Sequence, residues 1–225
     1  MEQDIFLRST SAIDSEHPVV QAYVKPLIAD CKTNKEKVVS IYYAVRDGWY
    51  YTATRISFRE EDMRASALIR SKAGHCIEKS VLMIAFCRAA GVPARLCLSK
   101  VKNHIAAEHV EQLFGTDVLV PHGYVEVWID DRWVKATPAF NKELCEKLGV
   151  APLEFNGEQD SLFQSFSADG TVFMEYLEDY GYFEDLPLDF IIRTMREHYP
   201  VLLQKGYALE PGSVLDIKKD EYQKK

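Results

Sequence analysis

Gly74-His75-Cys76-Ile77-Glu78-Lys79-Ser80, running on through Val81-Leu82-Met83-Ile84-Ala85-Phe86-Cys87-Arg88-Ala89-Ala90, is the stretch on which the fold turns. Between Cys76 and Ala90 only Glu78, Lys79, Ser80 and Arg88 are strongly polar. A helix that is apolar nearly all round belongs at the centre of a domain. Gly91 followed by Pro93 is a stop signal. Cys76 opens this helix, so its thiol meets the positive end of the macrodipole, and a lowered pKa and thiolate character are expected. The plainer reading is a small core residue, and for Cys87 and Cys97, mid-helix and mid-strand, that reading stands.

Upstream, the chain reads as helical. Asp14-Ser15 offers an N-cap, Pro18 suits a first turn, and Val20, Tyr23, Val24, Leu27 and Ile28 form an apolar stripe that Pro26 would bend or end. Thr33-Asn34-Lys35-Glu36 fits a capping box, with Val38, Val39, Ile41, Tyr42 and Val45 at helical spacing before Gly48. Arg64–Ser71 is a shorter helical candidate.

Downstream, the pattern turns to β. Arg95–Val101 is a candidate strand. Tyr124–Ile129 and Arg132–Thr137 flank Asp130-Asp131, a two-residue hairpin loop. In that register Ile129 faces Arg132 and Glu126 faces Lys135, an opposite-charge pair. His122 would then lie on one sheet face with Thr137 as a diagonal neighbour, and Asn141 as the other diagonal if the strand survives Pro138. Asp169-Gly170 reads as a second turn, Leu188–Tyr199 as a helix, and Asp216–Lys225 as a fraying tail. Helices first and antiparallel strands after predict an α+β fold.

The 225 residues include 47% hydrophobic and 27% charged residues, which excludes collagen-like, coiled-coil and disordered chains. One domain is expected over residues 1–225, with its core at about 15–140 and accessory elements at 141–225. The net charge of −7 comes without a basic stripe, so nucleic acid is not an expected partner. No apolar run reaches membrane-spanning length, the first residues carry no secretory pattern, and the five cysteines (Cys31, Cys76, Cys87, Cys97, Cys145) are odd in number. A cytoplasmic protein with reduced thiols is expected. No cofactor or metal is expected, because His104, His109 and the cysteines match no metal-ligand spacing.

A cysteine nucleophile needs a base, and the base an orienter. His122 is the candidate base, since its strand places Thr137 near enough to hold the ring.

Four segments resemble one family in order. Gly74-His75-Cys76 opens a helix, Gly91-Val92-Pro93-Ala94-Arg95 follows, then His122-Gly123-Tyr124-Val125-Glu126-Val127, then Trp133-Val134-Lys135-Ala136-Thr137-Pro138. Val45-Arg46-Asp47 matches an upstream helix end. Together they resemble the transglutaminase-like superfamily, as a small bacterial-type member. The resemblance implies a papain-like core in which a buried helix starting at Cys76 packs on an antiparallel sheet. It implies Cys76 as nucleophile, His122 as base, and Thr137 in the third place, where most of the family carries Asp. An upstream aromatic, Trp49 or Tyr51, would serve the oxyanion hole beside the Cys76 N–H. The expected activity is cysteine-dependent acyl transfer on a peptide, isopeptide or carboxamide bond through a thioester. Hydrolysis is preferred because calcium-loop motifs are absent. The alternative is a peptide- or protein-binding module without turnover. The acidic, aromatic stretch 163–189 reads as a lobe over the cleft favouring a basic substrate, or as a solvated face over a local core.

Overall fold

A computed structural model of the chain describes residues 2–104, 111, 114–162 and 174–217. After a 3-10 turn at Glu2–Leu7 come α1 (Pro18–Leu27), α2 (Asn34–Gly48), β1 (Tyr50–Tyr51), β2 (Arg55–Ser57), α3 (Ala65–Ser71) and β3 (Ala73–Gly74). Then follow α4 (Cys76–Ala89), β4 (Ala94–Asn103), β5 (Val118–Ile129), β6 (Arg132–Ala136), α5 (Lys142–Leu148), β7 (Met174–Phe183), α6 (Leu188–His198), α7 (Pro200–Gln204) and β8 (Val214–Asp216). The fold is α+β, as expected.

The α4 helix is the centre. Every residue from Cys76 to Arg88 is buried, and α1, α2 and α3 pack against it on one side while β4 and β5 cover another. The sheet is antiparallel in the order β6-β5-β4-β7. Its β5–β6 hairpin has the expected register, with Ile129 opposite Arg132 and Glu126 opposite Lys135. Asp130 and Asp131 both take positive φ, the geometry of a type I′ turn.

Helix ends explain local choices. Thr33 and Glu36 form the expected capping box on α2. The α1 N-cap is His17, not Asp14 or Ser15. The Asp14 carboxylate accepts the Ser66 N–H at 3.0 Å, so it caps α3, a partner distant in sequence. At the far end of α2, the fully buried Lys79 donates to the Arg46 and Trp49 carbonyls at 2.8 and 2.7 Å. Arg46 also holds Asp47, Leu153 O and Glu154, and Asp47 accepts the Lys142 N–H. The Val45-Arg46-Asp47 segment thus ties α2 to the chain after the hairpin.

The C-terminal elements fold back over the N-terminal half. β8 pairs antiparallel with β2, Asp216 opposite Arg55, and Ile217 N–H donates to Thr54 O. Asp216 is therefore pinned, where the polar tail was expected to fray. Asp169-Gly170 lies outside the described residues.

Candidate active site

β5 and the start of α4 meet at Gly123. A Cβ there would stand 2.9 Å from the Ile77 Cα and Cγ1 and 3.2 Å from its backbone nitrogen. Only glycine lets the strand approach a helix terminus so closely. The contact brings the Gly123 N–H to the Cys76 sulfur, so Cys76 sits beside the residue that follows His122. A Gly123→Ala variant is expected to lose about 1–3 kcal/mol, read as a lower urea midpoint at unchanged m-value. An unchanged midpoint would show that helix and strand separate without cost.

His75 caps α4. Its Nδ1 accepts the Ile77 N–H at 3.3 Å, while Glu78 Oε2 accepts the His75 N–H at 2.9 Å. An accepting Nδ1 requires that the neutral ring carry its proton on Nε2. That Nε2 is buried and makes no hydrogen bond; Glu78 Oε2 stands 3.6 Å away. The His75 ring also borders the cleft in front of Cys76 and lies close enough to His122 to oppose its protonation.

Burial overrides the macrodipole at Cys76. Desolvation pushes its pKa up to about 11, against the Gly123 and Ile77 N–H groups that favour the thiolate. Burial, with His75 nearby, drives His122 down to about 3. The resting pair at neutral pH is thiol and imidazole, not the thiolate expected from helix position alone.

Thr137 follows the last residue of β6. Its N–H donates to Ser161 O, and its C=O accepts from the Tyr42 hydroxyl at 3.3 Å. Pairing with β5 ends at Val125–Ala136. The Thr137 hydroxyl is buried and makes no hydrogen bond, so the expected link to the His122 ring is not made in this arrangement. Asn141 Oδ1 instead accepts the Tyr51 N–H at 3.0 Å.

Of the two upstream aromatics, Trp49 is fully buried and its Nε1 donates to Leu68 O at 2.9 Å. Tyr51 lines the cleft, and burial first, then the nearby Cys76 sulfur, keep its phenol protonated. Tyr51 thus borders the same cleft as Cys76, while Trp49 is committed elsewhere.

The cleft is walled from both halves of the chain. Tyr51, Ile56 and Phe58 come from the early strands, Leu119 to Pro121 from β5, and Leu188, Ile191 and Met195 from α6. No acidic residue of 175–189 borders it. Asp185 instead accepts the Ser11, Ala12 and Ile13 N–H groups, and Asp179 the Tyr124 hydroxyl. Phe183 and Tyr180 pack on Phe190. For the described part of 163–189, the solvated-face reading holds; Phe163, Phe166 and Phe173 lie outside it. Among the described residues no three His, Cys, Asp or Glu side chains cluster as a metal site. Half-buried His104 pairs with Glu175 at 3.4 Å, and His109 lies outside the described residues. No helix among them is long and apolar enough to cross a membrane.

The family model of the transglutaminase-like superfamily matches residues 21–138. The chain belongs to this superfamily. No relative is found among the curated proteins. Two solved structures are similar in part. One is a candidate cysteine protease from Cytophaga hutchinsonii, 20% identical, with a TM-score of 0.48 over 61% of this chain and 42% of that one. The other is a candidate protease from Parabacteroides distasonis, 16% identical, with a TM-score of 0.39 over 60% of this chain and 25% of that one. The chain thus spans less than half the length of either. The transglutaminase-like match stops at residue 138, so the α6 wall of the cleft lies beyond it.

Sequence reasoning named Cys76, His122 and the helix that forms α6, but missed the parts played by Gly123 and His75 and the place of α6 in the cleft wall. Gly123 stood inside a quoted motif, and its signal was a glycine in mid-strand. For His75 the signal was Glu78 three residues on, half of a capping box.

Proposed function

We propose that the protein is a cysteine acyl-transfer enzyme that cleaves a peptide, isopeptide or carboxamide bond through a thioester on Cys76. The observation that carries this is the Gly123 contact, which sets the Cys76 sulfur against the β5 backbone next to His122. Because thiol and imidazole rest neutral, attack is coupled to proton transfer. Cys76 sulfur bonds to the carbonyl carbon while its proton passes to the His122 ring as general base. The oxyanion forms near the α4 N-terminus, where the Cys76 N–H, the Tyr51 hydroxyl and the His75 Nε2–H are the available donors. Collapse breaks the C–N bond, and the amine leaves with the proton from His122. Water then attacks the thioester, again through His122, releasing a carboxylic acid and restoring the thiol. Thr137 is the positioning residue of this reading, its hydroxyl turning to the ring once substrate orders the site.

The test is acid-quenched intact mass spectrometry with a mixed peptide pool. A hydroxylamine-labile adduct mapping to Cys76 is expected. Incorporation of a label from ¹⁸O-water into the released acid marks hydrolysis, and capture of an added primary amine marks transamidation. Peptides retained by both the parent and Cys76→Ala, with no adduct and no product, would overturn the catalytic reading. They would leave the binding module, which the unengaged Thr137 hydroxyl favours.

A further inference from the structure

Resting on the acyl-transfer reading, we propose that the cleft beside Cys76 selects a short aliphatic side chain on the acyl portion of the substrate. Among the described residues no charged side chain lines it, and its walls are Ile56, Phe58, Met63, Phe114, Ile191 and Met195 with their apolar neighbours. The Ser57 and Tyr199 hydroxyls of the lining are already engaged. Ser57 Oγ donates to Asp62 at 2.7 Å. The Tyr199 hydroxyl donates to Val118 O at 3.1 Å and accepts the Val120 N–H at 2.6 Å. A charged or amide side chain entering here would be desolvated with nothing to replace its water.

The cleft therefore has two ends of different chemistry. At the Cys76 end stand the Tyr51 phenol and the buried, unbonded His75 Nε2, suited to the polar carbonyl under attack. The other end is suited to the carbon chain attached to it. Pockets of this kind orient a ligand with few polar groups and hold it by apolar contact. The free volume is about 60 Å³. That is less than half the roughly 150 Å³ of an apolar cavity that takes up benzene, so the cleft favours a Val, Leu or Ile side chain over a Phe ring.

The experiment uses peptidyl chloromethyl ketones that share one scaffold and differ only in the side chain next to the warhead: Val, Leu, Phe, Asp or Lys. Iodoacetamide serves as a small reagent without a side chain. The readout is the labelling rate of Cys76 by peptide mapping. Val and Leu probes are expected to label about 10–100-fold faster than Asp or Lys probes, with Phe behind them. Met195→Ala, which enlarges the α6 wall, should bring Phe up to the Leu rate. Met195→Asp should abolish the preference of Leu over Lys, provided its melting curve shows it folded. Equal rates across the set, or a charged probe fastest, overturn the proposal while leaving Cys76 as nucleophile. Labelling by iodoacetamide and by no peptidyl probe does the same. Failure of every reagent to reach Cys76 overturns the acyl-transfer reading itself.

Discussion

A His122→Gln variant is expected to lose turnover by about 10²–10⁴-fold and, in the same protein, to gain resistance to acid. The first effect follows from the resting thiol. With Cys76 raised to about 11, little thiolate exists at neutral pH, so attack depends on a base at the moment of reaction. Glutamine fills the space but takes no proton. The second effect follows from linkage. His122 titrates near 3 in the fold against 6.5 ordinarily. Above 6.5 neither folded nor unfolded chain holds a proton on this ring. As pH falls below 6.5 the unfolded chain binds one and the fold does not, so stability drains away until about pH 3. The full loss is about 5 kcal/mol, of which about 3 kcal/mol falls between pH 7 and pH 4. Urea unfolding at pH 7 and pH 4 measures it. The parent should weaken more than the variant over that interval, and equal weakening would show that this imidazole is not held neutral by burial.

Lys79→Met is expected to destabilise the fold by about 3 kcal/mol. Lys79 is fully buried in the apolar centre and donates to two carbonyls at the end of α2. Methionine matches the length of the stem but leaves both carbonyls buried without a donor, and each such group costs roughly 1–3 kcal/mol. Burial lowers Lys79 to about 7, so the unfolded chain holds more protons between pH 7 and about 10.5. This group therefore adds stability as pH rises through that window, and below pH 7 its penalty is constant. The parent minus variant difference in urea midpoint should accordingly widen in the parent's favour from pH 7 to pH 9. A variant as stable as the parent at pH 7 would mean that water or rearranged backbone satisfies the two carbonyls.

The parts of the fold that were legible in sequence are those set by local pattern. The all-round apolar run announced α4, Thr33 and Glu36 announced the start of α2, and Asp130-Asp131 gave the hairpin register, because each depends on residues within a few positions. The Asp14 assignment failed for the opposite reason. Its carboxylate chose a helix about fifty residues downstream, and nothing near Asp14 records that choice. The thiolate expectation failed because a helix dipole is local while desolvation is a property of the whole surround: α4, β5, Tyr51 and α6 close over Cys76 only in three dimensions. Thr137 was placed from a register that held through Ala136 and then ended, where Ser161 took the next backbone hydrogen bond.

The pairing of β8 with β2 has a consequence for how the cleft could be reshaped. Ile56 and Ser57, which line the cleft, are braced by Leu215 and Val214, and Phe58 by Ser213, and the connection between α7 and β8 is partly exposed turn. A single protease nick there would unlatch one jaw while sparing the thiol and its imidazole. Variation in the elements from α6 to β8 would then redraw the cleft wall without touching Cys76 or His122.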